Sequence, residues 1–136
     1  MAATAPQFDR MVPAAPDAIG ALRRELRRWA RRHGASPVTQ ANVALAFSEA
    51  CTILIGPRDT GARDGNERPG PLMVQAWVDR GDLGVRVSHP SRGAPMPPTE
   101  IGYGFGLAII GKVAERFEVR RRDARPGTAL EMTFRL

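Results

Sequence analysis

Gly102-Tyr103-Gly104-Phe105-Gly106-Leu107 is the stretch on which the fold turns. Its glycines alternate with larger residues and lead into Phe105 to Phe117, where Leu107, Ile110, Val113, Ala114 and Phe117 recur at helical spacing. Glycines at the mouth of a helix let the backbone come close to a ligand. The helix start adds unpaired N–H groups and a partial positive charge, a setting that suits phosphate. This is not the dinucleotide fingerprint. A proline-rich run from Pro90 to Gly102, with Pro95, Pro97 and Pro98, precedes it in place of a strand, and no βαβ unit surrounds it. By itself the stretch reads equally well as a flexible hinge.

Upstream, the pattern supplies two more helices. Asp17 starts the first, with Ile19, Leu22, Leu26 and Trp29 on one face and Arg23, Arg24, Arg27, Arg28, Arg31 and Arg32 on the other. Gly34 ends it with a left-handed residue. Ser36-Pro37 starts the second, an N-cap followed by proline in the first turn. That helix runs from about Pro37 to Leu54, with Val38, Val43, Leu45, Ala46 and Phe47 as core candidates. Phe8 to Val12 reads as an edge strand. Leu72 to Val78 and Leu83 to Ser88 read as a hairpin about the tight turn Asp79-Arg80-Gly81-Asp82. Glu118 to Arg122 and Thr128 to Leu136 form a closing hairpin. Gly56 to Pro71, without periodicity, reads as a long mobile loop. Two hairpins separated by helices imply an α+β two-layer sandwich: a mixed, mostly antiparallel sheet with helices on one face, in a single domain spanning 1–136.

Composition narrows the function classes. A hydrophobic fraction of 43% over 136 residues suffices for one core. No apolar run approaches the roughly 20 residues of a membrane span, and Met1 to Pro6 lacks the pattern of a signal peptide. A single cysteine, Cys51, excludes an internal disulfide and fits a reducing compartment, so the expected location is cytoplasmic. Cys51 and two histidines offer no metal-ligand spacing, and no hydrolase nucleophile motif occurs. The net charge of +6 is almost all arginine. It reads as a solvated helix face or a surface for an acidic partner; a nucleic-acid-binding regulator is an alternative, although no aromatics are interleaved for base stacking.

A second segment bears chemistry: Val43-Ala44-Leu45-Ala46-Phe47-Ser48-Glu49-Ala50-Cys51-Thr52, in which Glu49 lies among small and apolar residues where a charge is costly. With Gly102 to Leu107, Gly127-Thr128 and the strand order, it makes the chain resemble the anti-sigma-factor serine kinases. These are a branch of the histidine-kinase-like (GHKL) ATPases with the Bergerat-type fold, and the resemblance runs from about Asp17 to Leu136. It implies an ATP site under a lid, here Pro90 to Tyr103. It implies a general base at Glu49, and phosphate contacts at Gly102, Gly104 and Gly106 continuing to Leu107. Further nucleotide contacts fall at Thr52, at Gly93 and at Thr128 near the adenine.

Two positions depart from the pattern. The family's magnesium-holding asparagine, four residues after the glutamate, is here Ile53, and an isoleucine offers no oxygen to a hard cation. The adenine-reading aspartate is here His89, and a glycine that follows it is Ser91. The resemblance therefore implies an anti-sigma-like regulator that binds a sigma factor or an anti-anti-sigma protein and forms a homodimer. Its ATP or ADP binding would be weakened or lost and Mg²⁺ binding is not expected. The alternative is an active ATP-dependent serine kinase.

Overall fold

The computed structural model describes residues 6–55, 70–89, 101–121 and 127–136, with the side chains of 101–104 and 121 left aside. In chain order the elements are β1 (Phe8–Val12), α1 (Pro16–Arg32), α2 (Pro37–Ile55), β2 (Leu72–Asp79), β3 (Asp82–His89), α3 (Ile101–Val113), β4 (Arg116–Arg121) and β5 (Thr128–Arg135).

Local chemistry sets most of these boundaries. Pro16 sits in the first turn of α1, where its missing N–H costs nothing, and Asp17 complements the positive helix end. At the other end Gly34 takes a φ of 95°, so its N–H reaches the Arg31 carbonyl at 3.1 Å and that of Ala35 reaches Ala30 at 3.0 Å. Those paired bonds satisfy carbonyls that the helix leaves open. Ser36 caps α2: its Oγ accepts the Thr39 N–H at 3.1 Å. Arg80 and Gly81, with φ of 54° and 83°, make the two-residue turn between β2 and β3, and positive φ at both positions matches the right-handed twist of the strands.

The strands form one sheet in the order β1-β2-β3-β5-β4, and every pairing is antiparallel. Alternation assigns the faces. Leu72, Val74 and Ala76 of β2, Leu83, Val85 and Val87 of β3, and Leu130, Met132 and Phe134 of β5 are buried under the helices with Leu26, Trp29, Phe47 and Ile110. The opposite face carries Gln75, Trp77, Arg86 and Glu131. There the Arg86 guanidinium donates to Glu131 Oε2 at 3.0 Å and to Gln75 Oε1 at 3.3 Å.

Four expectations are corrected. α3 begins at Ile101 and ends at Val113, so the glycine-rich stretch is itself helical and Phe117 belongs to β4. Phe117 and Val119 pair with Met132 and Leu130, and that two-residue alternation overrides the helical spacing. Val38 and Leu45 are exposed, 69% and 43%, and Thr52 continues the same solvent stripe at seven-residue intervals. Lastly, α2 is 19 residues of largely apolar composition, long enough to cross a membrane by length alone. It lies instead against the sheet and both other helices, with Ala46, Phe47, Ala50 and Ile53 in the core.

Candidate functional site

The site is built where the C-terminal half of α2 meets α3 over one end of the sheet. The start of α2 is fixed at the far end, where Thr39 Oγ1 donates to the Arg135 carbonyl at 3.0 Å. From Thr39 to Ile53 a helix climbs about 21 Å at 1.5 Å per residue. From Arg135 back to Thr128 a strand covers about 24 Å. α2 thus carries Glu49 and Ile53 to the end of the sheet where β3 and β5 hold His89 and Thr128.

Glu49 and Ile53, one turn apart, face α3 at Gly106. A methyl group added at Gly106 would stand 3.0 Å from Ile53 Cδ1 and 3.2 Å from Glu49 Oε1. Gly106 is buried, and the absence of a side chain there lets the two helices close up. This contact accounts for glycine inside a helix, where its own propensity costs about 1 kcal/mol. The half-buried Glu49 carboxylate has an isoleucine methyl as its neighbour on α2.

His89 and Thr128 are directly opposite in the β3–β5 register, on the helix-covered face. Both are buried, His89 with 1% and Thr128 with 6% exposure. Thr128 Oγ1 has no hydrogen-bond partner among the described residues. A buried hydroxyl without a partner is costly, and a polar ligand group placed against it would relieve the cost.

The remaining expected residues distribute unevenly. Leu107 is half-buried beside Gly106, and Gly102 and Gly104 lie in the opening turns of α3. Thr52 is exposed and its hydroxyl donates to the Ser48 carbonyl at 3.0 Å. Gly93, Ser91 and the lid up to residue 100 lie outside the described residues, as does the loop at 56–69. Among the described residues no group of three or more His, Cys, Asp or Glu gathers as a metal site.

The sequence reading missed one contact. Arg23 of α1 donates to Ser48 Oγ at 3.1 Å, and Ser48 in turn donates to the Ala44 carbonyl. One arginine of the basic face is therefore a strut between α1 and the residue preceding Glu49. No local pattern signals it, because the partners are 25 residues apart. Cys51, also on this half of α2, is buried, and burial pushes its thiol up to about 12.

A profile of the histidine kinase-like ATPase domain matches residues 12–134. The chain belongs to this family. Two solved structures share the fold of this ATPase-like domain. One contains the RsbU and RsbW domains of Rv1364c from Mycobacterium tuberculosis: 20% identity, TM-score 0.66, covering 98% of this chain and 32% of that one. The chain thus spans about a third of the length of that protein's chain. The other is the SiaB–SiaC complex from Pseudomonas aeruginosa: 14% identity, TM-score 0.69, covering 95% of this chain and 89% of that one. No curated protein sequence matches. The family is the broader one to which the sequence resemblance pointed, and its helix-on-sheet architecture is the one found here.

Proposed function

We propose that the chain is an anti-sigma-like regulatory protein that acts by binding protein partners of the sigma-factor or anti-anti-sigma class, and that its nucleotide site is weakened. The observation that carries this reading is Ile53. It stands at the α2–α3 contact beside Glu49 Oε1 and Gly106, where a hard cation would need oxygen and meets a methyl group. The donor set does not fit Mg²⁺, and no step is assigned to it. The purine end fits better. Thr128 Oγ1, buried and unpartnered among the described residues, offers a polar contact, and His89 opposite it brings an imidazole where the family pattern has a carboxylate. Partner binding is supported by two similar structures, one described as a complex and the other containing an RsbW domain together with an RsbU domain. A cytoplasmic location is part of this reading.

Calorimetric titration of ATP tests it. Losing one hydrogen bond to a buried ligand group costs roughly 1–3 kcal/mol, about tenfold to a hundredfold in affinity. Binding is therefore expected to be weak or absent and nearly the same with and without Mg²⁺. Micromolar, Mg²⁺-dependent binding overturns the reading. Transfer of phosphate to a partner serine that is lost in Glu49→Gln would establish the kinase alternative.

A further inference from the structure

α1 carries positive charge that the fold does not answer. Arg24, Arg27, Arg28, Arg31 and Arg32 are all exposed, and none has a carboxylate within ion-pairing distance among the described residues. On the sheet, by contrast, Arg86, Arg120 and Arg135 lie beside Glu131, Glu118 and Glu115. α1 holds two acids. Glu25 is taken by Arg10 at 2.7 Å, and Asp17 lies in the first turn. The one acid of α2, Glu49, faces α3. Arg27 shows the imbalance best. Its neighbours three and four residues away are Arg23, Arg24, Ala30 and Arg31, three like charges at a spacing where they destabilise the helix.

This ridge borders an apolar strip. The Arg23–Ser48 bond marks the line where α1 meets α2, and the short link between Arg32 and Pro37 makes the two helices antiparallel neighbours. Four and eight residues on from Arg23 stand Arg27 and Arg31. Four and seven residues back from Ser48 stand Ala44 and Ala41. Small side chains thus floor the seam, with arginines on one bank. On the other bank Val38 and Leu45, seven residues apart, are 69% and 43% exposed. A helix laid in the seam would meet both banks along its length, because its own side chains recur at three, four and seven residues. Other occupants use half of the surface. A nucleic-acid backbone would take the arginines and leave the apolar bank exposed, and neither helix exposes a Phe, Tyr or Trp for bases to stack on or for a bilayer to receive. A second copy related by a two-fold axis through the seam would set arginines against arginines.

We propose that the seam between α1 and α2 is the docking groove for an acidic amphipathic helix of a protein partner, its carboxylates against Arg24, Arg27 and Arg31 and its apolar side against Val38 and Leu45. Apolar anchors supply affinity in this mode, and the charged bank sets orientation and speeds encounter. The proposal deepens the partner-binding reading and rests on it in assigning the helix to a protein.

The test uses the full chain and a labelled helical peptide of about 18 residues, with glutamate on one flank and leucine on the other. Anisotropy should show binding that weakens with salt, falls about tenfold or more in Arg27→Glu with Arg31→Glu, and falls a few-fold in Val38→Ser with Leu45→Ser. Arg27→Gln should lower affinity a few-fold while the urea midpoint stays level or rises, because the change removes like-charge neighbours. That single variant keeps the test valid if the double reversal unfolds. Equal affinity for a peptide with lysine in place of glutamate or serine in place of leucine, indifference to these substitutions, or a urea midpoint that falls together with affinity in Arg27→Gln overturns the proposal. So does a short DNA duplex or a phosphatidylserine vesicle that is held more tightly than the peptide at one ionic strength and released by the same arginine substitutions. The ATP titration is read separately: absent peptide binding beside weak, Mg²⁺-independent ATP binding refutes this groove and not the partner-binding reading.

Discussion

Ile53 and Gly106 form a matched pair. The branched side chain fills space that a Cβ on the facing helix would contest at 3.0 Å, so the substitution at 53 is packed into the helix contact and is not a loose surface change. Cys51, two residues before it, gives a measurable consequence. Its thiol is raised from about 9.0 to about 12 by burial, with Arg23 opposing weakly. The folded state then keeps a proton that the unfolded chain loses. This contribution is fully present below pH 9.0 and is lost as pH rises from there toward 12. Denaturant midpoints of the wild type should fall over that range, and Cys51→Ala should flatten the fall. Native protein should also resist thiol alkylation at neutral pH until it is unfolded. On the other sheet face, a methyl group at Gly84 would run into the Trp77 indole. Gly84→Ala is expected to destabilise by about 1–3 kcal/mol through overpacking, read from a urea midpoint.

At the scale of elements, the caps and tight turns were legible because they rest on local chemistry. Ser36-Pro37, Gly34 and Arg80-Gly81 each fix a backbone need that the sequence states within a few residues. Ser36→Ala should therefore cost about 1 kcal/mol and Ser36→Gly only a few tenths, checked by thermal or chemical denaturation. What was not legible depended on distant partners. Glycines at 102, 104 and 106 argue locally for a helix that begins late. All three lie within α3, and at Gly106 the close approach of Glu49 and Ile53 leaves no room for a side chain. Phe117 fits both a helical and a two-residue period, and only its pairing with Met132 decides between them. Val38 and Leu45 looked like core on hydrophobicity alone, but α2 has more apolar faces than its neighbours cover. Of the candidate residues that the family pattern named, Glu49 meets Gly106 and His89 lies opposite Thr128, whereas the Arg23–Ser48 strut came only from the packing of α1 on α2.

For the whole molecule, the family pattern carries an expectation of pairing. Light scattering at tens of micromolar should give the mass of two chains, and a mass near 14.8 kDa would count against it. Net charge sets the background for any such association. A formal +6 keeps unrelated copies apart at low salt and draws acidic surfaces in, so apparent affinities for partners should be compared at one ionic strength.

The strand order has one more consequence, for how the molecule is made. β5 follows β4 in sequence but sits between β3 and β4 in space. β3 and β5 pair across an interval that runs from His89 to Thr128, so their union is a slow, long-range closure. The two hairpins, β2 with β3 and β4 with β5, can form from near neighbours and then dock along that single seam. On the ribosome, β4 emerges with nothing to lean on until β5 has cleared the exit tunnel. Until that moment β3 shows an open flank, and this half-made sheet is the stage at which the nascent chain most needs a chaperone.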